Sequence, residues 1–410
     1  MSDLATLREQ EYRQRLEVDR LRRVVYEQAD PNATGLLQQL VAAENSLSLI
    51  EQERATAQAA DDSKTSEGLI VNTKTVGKLA GKETTGLEAK VNLQMAQLPT
   101  AICHLFNPET HPLVTCVVTN TSDQTRRVRV SCAIQNYSAQ AVETKELKRN
   151  QPETFKLLPT LFPERARRVT ELTRATLNVL VEDLDNGKVE IQKTSPIWLL
   201  ARTTAPLAVR DPASGQWNDL SMYLGAFVTP NAKELMGFLR APAALHPNGL
   251  VGYQGDKTGV TPQVEALFNA LKNDAQITYV NSVIAFSPEE GTNTQRVRLP
   301  RESLANRTAN CIDGTVLFAS LLEGISLNPA LVILPGHAIV AWETWDKSGE
   351  WDYLETTMIG GNYTFDQARN SGSSMAKTFE TLANVTGNKA KFRPWPLRTL
   401  RVEHRIMPME

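Results

Sequence analysis

The sequence predicts an α+β protein built from several domains. Three changes in composition along its 410 residues support this fold class. The first stretch is rich in Arg, Glu and Gln with Leu at helical spacing, the central stretch consists of short β-branched runs, and the stretch beyond Asp211 alternates helical and extended segments. A chain of this length exceeds one ordinary hydrophobic core, so two or three domains are expected.

Two helical runs are predicted within residues 1–58. The first covers about residues 4–28, and the segment DPNATG separates it from the second. Five apolar residues of the second run recur at alternating steps of four and three, which places them on one stripe of a helix: Leu36, Leu40, Ala43, Leu47 and Ile50. We therefore expect a helical hairpin. Either its helices pack on each other, or it is a coiled-coil arm that docks a protein partner or forms oligomers.

Residues 97–210 are predicted to form an antiparallel β-sandwich that resembles the immunoglobulin fold. Runs such as VTCVVTN and RRVRVSCAIQNY alternate with polar and proline-containing turns. Val128, Val130 and Cys132 alternate with polar residues, so this strand has one buried face and Cys132 belongs to the core. Residues 59–96 contain few large apolar residues and are predicted to be a flexible linker.

Three cysteines lie in this central region, and two of them have histidines nearby in the sequence. Cys103, His104, His111 and Cys116 are residue types that bind zinc, but their spacing fits no familiar zinc site. We therefore expect no metal and no cofactor. The thiols are expected to be reduced and to pack as small hydrophobic groups.

The charge balance and the N-terminal sequence limit the classes of partner. With 44 basic and 46 acidic residues the net charge is −2, so the chain has no overall electrostatic footprint for nucleic acid. The N-terminus MSDLATLREQEYRQR lacks the apolar core of a signal peptide, and no run approaches the roughly 18 apolar residues that cross a bilayer. We expect a cytoplasmic protein without a membrane partner.

Residues 211–410 contain one cysteine, Cys311, in the segment NCIDGTVLFASLLEGI. It lies at the predicted first turn of a buried helix, with Asn310 as the N-cap residue. The unpaired N–H groups of a helix N-terminus favour a thiolate, and a helix that is apolar on nearly every side would hold the sulfur in a fixed position. Asp313 would oppose a thiolate if it faced the sulfur, so we expect it to point away.

His337 in PGHAIVAWE and Glu355 in WDYLETT follow on predicted strands. If these strands are adjacent, antiparallel and joined near DKSG by a loop of three or five residues, position 357 faces His337 and Glu355 lies two residues along on the same face. Their Cβ atoms would be roughly 7 to 8 Å apart. A loop of two or four residues would instead bring Asp352 to that face, about 20 Å from the position opposite His337. A nucleophile at a helix start, followed by a base and an acid on successive strands, supplies the three groups that acyl transfer uses.

Residues 215–370 resemble the transglutaminase-like superfamily of papain-type cysteine enzymes. The motifs that carry the resemblance are CIDGTVLFASLL, PGHAIVAW and WDYLETT. It implies a catalytic domain of papain-type α+β fold in residues 211–410, with Cys311 as nucleophile, His337 as general base and Glu355 as the acid that holds Nδ1–H of the imidazole. Glutamate stands where the family more often has aspartate. The upstream stretches LVGYQGDK and YVNSVIAFSP look like those of bacterial proteins with this domain.

The resemblance also implies a thioester mechanism without a cofactor. We expect a cysteine peptidase or isopeptidase that acts on a protein or peptide substrate, with the sandwich and the helices presenting substrate or docking a partner. The oxyanion would be stabilised by the Cys311 N–H and a second donor, for which Gln254 and Asn281 are candidates. Two alternatives stay open: a protein-glutamine amine acyltransferase that crosslinks proteins, and a catalytically silent transglutaminase-like binding module.

Overall fold

The chain is an α+β protein with several separate sheets. The computed structural model describes the following ranges: residues 4–28, part of 36–57, 86–210, 217–245, 252, 257–280 and 292–409. The predicted fold class is thus confirmed at the level of mixed α and β structure in more than one compact unit. Within these ranges no helix combines the length and the apolar character that crossing a bilayer requires.

Strands occur along most of the described chain after residue 86. In chain order they are β1 (Leu87–Leu93), β2 (Gln97–Pro99), β3 (Val114–Asn120), β4 (Arg126–Ile134), β5 (Ala141–Leu147), β6 (Pro152–Leu157), β7 (Thr173–Asp183), β8 (Lys188–Leu200), β9 (Thr204–Arg210), β10 (Trp217–Asp219), β11 (Thr278–Tyr279), β12 (Thr292–Arg296), β13 (Thr308–Ala309), β14 (Pro329–Leu334), β15 (His337–Glu343), β16 (Trp351–Leu354) and β17 (Arg393–Pro396).

Apart from one short helix, the α-helices of the described residues lie before residue 58 or after residue 232. In chain order they are α1 (Leu4–Gln28), α2 (Pro163–Ala166), α3 (Lys233–Phe238), α4 (Arg240–Leu245), α5 (Lys257–Asn273), α6 (Pro300–Asn306), α7 (Cys311–Gly324), α8 (Phe365–Thr386) and α9 (Leu397–Val402). The described residues of 36–57 are also helical. Short 3-10 helices cover Cys103–Leu105, Ser221–Phe227, Thr356–Met358 and Lys389–Lys391.

The chain divides into two compact units, and neither is one continuous segment. The first unit comprises Met1–Lys74, Met236–Val280 and Arg307–Pro396, and the second comprises Thr75–Leu235, Asn281–Asn306 and Leu397–Glu410. These bounds differ from the contiguous domains 97–210 and 211–410 that the sequence predicts. One reason is strand pairing over a long separation, since β12 pairs with β9 and so belongs to the second unit.

Two sheets share one hydrophobic core in the second unit. The three-stranded sheet has the order β1-β3-β6, and the five-stranded sheet has the order β2-β8-β7-β4-β5. On β4 the predicted alternation is present, since Val128, Val130 and Cys132 are each at most 1% exposed. Full burial of one such aliphatic side chain stabilises a fold by roughly 1.5–3 kcal/mol. Cys132 therefore belongs to the core, as the alternation predicts.

Strand β1 lies inside the segment that was predicted to be a flexible linker, 59–96. Its seven residues pair with β3, so the linker prediction is wrong for this part. The reason is a period of two in LEAKVNL: Leu87 is buried in the shared core, and Ala89, Val91 and Leu93 pack against it. Residues 59–85 of the predicted linker lie outside the described residues.

The N-terminal helices pack on each other in the first unit. A small cluster joins Val18 and Leu21 of α1 to Leu40 and Ala43 of the second helical segment. The Gln14 side-chain amide donates to the Ala43 carbonyl at 3.0 Å. Of the two interpretations of the predicted hairpin, these contacts favour packing of the two helices on each other.

A four-stranded antiparallel sheet with the order β16-β15-β14-β17 forms the centre of the first unit. Every residue of β14, and every residue of β15 after His337, is buried. Because successive side chains of a strand point to opposite faces, both faces of these strands are covered. Helix α7 packs on β14 and β15, and α8 packs on β16. His337 is the first residue of the interior strand β15 and so lies at one end of this buried sheet.

Candidate active site

Cys311 is the first residue of α7, and a reciprocal pair of hydrogen bonds fixes the helix start. Asn310 is the N-cap residue in extended conformation, and its side-chain oxygen accepts from the Asp313 backbone N–H at 2.8 Å. In return the Asp313 carboxylate accepts from the Asn310 backbone N–H at 3.2 Å. Asp313 was expected to point away from the sulfur, and its carboxylate is directed at this backbone N–H.

The first turn of α7 lies against the residue that follows Glu355. The Thr315 hydroxyl donates to the Cys311 carbonyl at 2.8 Å, and the Thr356 hydroxyl donates to the same oxygen at 3.5 Å. A Cβ atom on Gly314 would lie 2.8 Å from the Thr356 hydroxyl oxygen. Glycine at this position thus allows the helix carrying the cysteine and the segment carrying the acid to approach closely.

His337 connects the cysteine to the acid. Its Nε2 lies 2.6 Å from the Glu355 carboxylate, and interaction with the Cys311 side chain contributes to the raised pKa of the ring. The expectation that glutamate would hold Nδ1 is wrong, because Glu355 contacts the ring nitrogen farther from the backbone. The structure thus brings the three residues that the sequence selected into one site, with a direct hydrogen bond between His337 and Glu355.

The register of two strands brings histidine and glutamate together. Strands β15 and β16 are antiparallel, with Val340 opposite Leu354, and backbone hydrogen bonds extend the pairing so that residues 345–349 form the connecting loop. This loop has the odd length that the sequence argument required. Counted onward from this register, position 357 corresponds to His337, but β16 ends at Leu354 and Thr356–Met358 form a 3-10 helix.

Glu355 and Asp352 consequently have different surroundings. Glu355 lies on the His337 side and is 3% exposed. Asp352 is opposite Trp342, and its carboxylate accepts from the Arg369 guanidinium at 2.6 Å. Of the two carboxylates of WDYLETT, Glu355 is therefore the one that belongs to the site.

Each oxygen of the Glu355 carboxylate has a hydrogen-bond donor. Oε2 faces His337, while Oε1 accepts from the Thr357 hydroxyl at 2.6 Å and from the Thr357 backbone N–H at 2.9 Å. The Glu355 backbone N–H donates to the Ala368 carbonyl of α8 at 3.1 Å. A Cβ atom on Gly372 would lie 2.7 Å from the Leu354 backbone nitrogen, so only glycine fits there without a shift.

The electrostatics favour an ion pair between His337 and Glu355. Burial alone would lower the pKa of His337, but the Glu355 carboxylate and the hydrogen bonds to Cys311 and Glu355 outweigh it and raise this pKa to about 10. Burial alone would raise the pKa of Glu355, but the charge of His337 and the hydrogen bonds from His337 and Thr357 lower it. An imidazolium beside the sulfur favours the nucleophilic thiolate form of cysteine.

The structure does not place the two candidate oxyanion donors, since Gln254 and Asn281 lie outside the described residues. The backbone N–H of Cys311 is at the N-terminus of α7, where helical N–H groups lack intrahelical acceptors. This position suits one oxyanion donor.

Sequence reasoning missed three residues that shape the site. Thr357 holds the acid, while Gly314 and Gly372 permit close packing on either side of it. The signal for Thr357 is local, because a carboxylate that accepts from the residue two positions ahead is typical of turns and caps. For the glycines no sequence signal distinguishes tight packing from ordinary helix positions.

The other cysteines are separate from this site. All four thiols are free. Burial raises the pKa of Cys116 and of Cys132 to about 12, so both stay protonated at neutral pH. His111 stacks on Phe106 with ring centroids 4.9 Å apart. Within the described ranges, no three or more His, Cys, Asp or Glu side chains come together in a way that could hold a metal ion.

Comparison with known proteins gives little further information. No protein-family model and no curated protein matches the sequence. A solved structure of an FixG-related protein from Vibrio parahaemolyticus is 14% identical over 27% of this chain and 94% of that chain, with a TM-score of 0.20. Native alpha-2-macroglobulin from Escherichia coli, from domain MG7 to the C-terminus, is 13% identical over 47% of this chain and 34% of that chain, with a TM-score of 0.19. These similarities assign neither a fold family nor an activity.

Proposed function

We propose that the protein is a cysteine peptidase or isopeptidase that acts on a protein or peptide substrate. The observation that carries this proposal is the hydrogen bond between His337 and the buried Glu355 carboxylate, in a site where the Cys311 side chain also interacts with the imidazole. The site offers a nucleophile at a helix start, a base at the first residue of a strand, and a buried acid that can orient the base. Each of these roles has a residue of the right chemistry.

In the proposed reaction the Cys311 sulfur attacks the substrate carbonyl carbon, and the carbonyl oxygen becomes an oxyanion near the Cys311 N–H. Collapse of this intermediate breaks the C–N bond. The leaving amine takes a proton from the His337 imidazolium, and a thioester remains. His337 then accepts a proton from water as the water attacks the thioester, and the proton returns to the sulfur when the acid leaves. Glu355 holds the ring and stabilises its positive charge.

We propose a transglutaminase-like, papain-type fold for the unit that contains Cys311. The support is the order of elements: helix α7 with the cysteine, strand β15 with the histidine, and the end of β16 with the acid. For the two sheets that share a core in the second unit we propose an immunoglobulin-like sandwich, which rests on their predominantly antiparallel pairing. Four free thiols support the proposal of a reducing compartment such as the cytoplasm.

The first test is the rate at which iodoacetamide alkylates Cys311 between pH 5 and 9, measured by peptide mass spectrometry. The buried thiols Cys116 and Cys132 serve as internal references. We expect Cys311 to react at neutral pH well before both references, and His337→Ala to slow it at least about tenfold. If Cys311 reacts no faster than the references, or if His337→Ala does not change its rate, the enzyme proposal fails and the protein is a catalytically silent binding module.

A matched pair of carboxylate variants makes this test specific. Glu355→Gln removes the charge beside His337, while Asp352→Asn removes a charge of the same strand segment that pairs with Arg369. Only Glu355→Gln should slow alkylation. Peptide cleavage that Cys311→Ala abolishes would then establish hydrolysis, and attachment of a biotinylated primary amine to a glutamine substrate would indicate amine transfer instead.

A further inference from the structure

The second unit contains a cavity of about 460 Å³ that has no part in the proposed reaction. Six residues line it: Asn136, Tyr137, Arg165, Arg168, Val169 and Thr173. Its volume is in the range of about 300–1,000 Å³ that ligand pockets usually have. Two of the six lining side chains are cationic and none is a carboxylate, so the cavity has a positive local charge on a chain whose net charge is −2.

Backbone hydrogen bonds hold the walls of this cavity in place. The turn after β4 is closed by the Tyr137 N–H, which donates to the Ile134 carbonyl at 3.0 Å. The Tyr137 carbonyl accepts from the Phe162 N–H at 2.8 Å, which ties this turn to the start of α2. On the third side the Val169 carbonyl accepts from the Arg202 N–H at 2.8 Å. The backbone around the cavity is therefore held by hydrogen bonds within the fold.

Three arginines of one short segment differ in their partners. Arg167 donates to the Glu164 carboxylate at 2.9 Å and does not line the cavity. Arg165 and Arg168 are exposed, and among the described residues neither guanidinium has an ion pair or a side-chain hydrogen bond. Both line the cavity. Two arginines whose guanidinium N–H groups have no described protein acceptor thus border the cavity.

We infer that this cavity binds an organic oxyanion, a carboxylate or phosphate group carried on a small molecule or on a peptide side chain. Guanidinium groups present N–H donors in a planar fork that matches the oxygens of both anions. Tyr137 and Asn136, whose side chains can also donate hydrogen bonds, are among the lining residues.

The inference is tested by calorimetric titration of the full chain with three probes: phenyl phosphate, succinate, and an N-acetylated Ala-Glu-Glu-Ala amide. The same peptide with Gln in place of Glu is the neutral control. We expect Arg165→Ala and Arg168→Ala each to weaken binding at least about tenfold. Arg167→Ala removes the same charge from the same segment, yet it should change the affinity by less than about twofold.

The identity of the probe that binds shows where the anion comes from. Binding of the acidic peptide alone assigns a protein segment as ligand, and binding of phenyl phosphate or succinate alone assigns a small molecule. The inference is overturned if no probe binds, if the neutral peptide binds as well as the acidic one, or if Arg167→Ala weakens binding as much as the other two. Thermal unfolding of each variant, expected to match the parent, verifies that these exposed substitutions leave the fold intact.

Discussion

The Glu355 carboxylate is nearly inaccessible to water, and hydrogen bonds replace the lost solvent at each oxygen. One oxygen faces His337 and the other accepts two hydrogen bonds from Thr357. An unpaired carboxylate at this depth would be strongly destabilising. Thr357 therefore acts as a positioning residue: it fixes the acid, and the acid fixes the imidazole.

Replacing Thr357 by valine tests this role at the residue scale. Valine keeps the branched shape and the backbone N–H but removes the hydroxyl donor at 2.6 Å. We expect the free energy of unfolding, measured by urea denaturation, to fall by about 1.5–3 kcal/mol. Because the hydrogen bond from Thr357 lowers the pKa of Glu355, the acid limb of the pH profile for Cys311 alkylation should move to higher pH.

Serine at position 357 is the conservative control, since it retains the hydroxyl. Thr357→Ser should restore the acid limb to its position in the parent. A profile that stays unchanged in Thr357→Val would show that the hydroxyl does not act on Glu355, even if stability is lost.

At the residue scale, part of the candidate site could be predicted from the sequence. The choice of Cys311, His337 and Glu355 followed from their order and from strand parity, and the structure places all three together. Contact through Nε2 and the role of Thr357 were not predictable in the same way. They depend on the 3-10 turn that follows β16, and a strand pattern does not reveal how the chain turns after the strand ends.

At the scale of elements, helix α8 and strand β16 approach each other closely at one glycine. Gly372 faces the backbone at Leu354 and Glu355, and near it the Ala368 carbonyl accepts the Glu355 N–H. The acid is thus held by its backbone as well as by its side chain. This contact links the packing of a helix to the geometry of the site.

We predict that Gly372→Ala lowers the free energy of unfolding by about 1–3 kcal/mol, because the new methyl group would lie 2.7 Å from a backbone nitrogen. It should also slow alkylation of Cys311, since the acid is displaced. Gly237→Ala is the matched control: a Cβ atom there has no neighbour within 4 Å, so helix propensity alone should stabilise by about 0.5–1 kcal/mol. Denaturation curves in which both variants gain stability would contradict the proposed close packing.

Elements were predictable where periodicity is sustained over a strand or a helix. The buried alternation in β4 and the apolar helix α7 are present in the structure. Strand β1 was missed because its four small or aliphatic residues occur in a segment that is otherwise polar, so composition outweighed its period of two. The pairing of β12 with β9 was not predictable, since no local pattern encodes a partner so distant in sequence.

At the scale of the whole molecule, the pair of His337 and Glu355 makes stability depend on pH. The pKa of His337 is raised from 6.5, so its contribution is complete below 6.5 and is lost as pH rises through about 10. The pKa of Glu355 is lowered from 4.5, so its contribution is complete above 4.5 and is lost as pH falls through the lowered value. The pair therefore stabilises the fold most between about pH 4.5 and 6.5.

Thermal unfolding of the parent, His337→Asn, Glu355→Gln and the double variant between pH 3 and 10.5 measures this contribution. The coupling between the two sites should be largest in that window and should decrease on both sides. Each single variant should be less stable than the double variant near pH 6, because it leaves one buried group without its partner. A coupling that does not vary with pH would show that the pair does not titrate as a unit.

The interleaving of the two units has a consequence for the order in which they are completed during synthesis. The second unit includes contacts from residues far along the chain: the Arg401 guanidinium donates to the Gly225 and Val228 carbonyls, and the Arg202 side chain to the Met409 carbonyl. On a translating ribosome these contacts cannot form until residues 307–396, which belong to the first unit, have already emerged. The strand-rich second unit begins at Thr75 and is completed last, so its early strands require protection from aggregation for most of the time that the chain takes to be made.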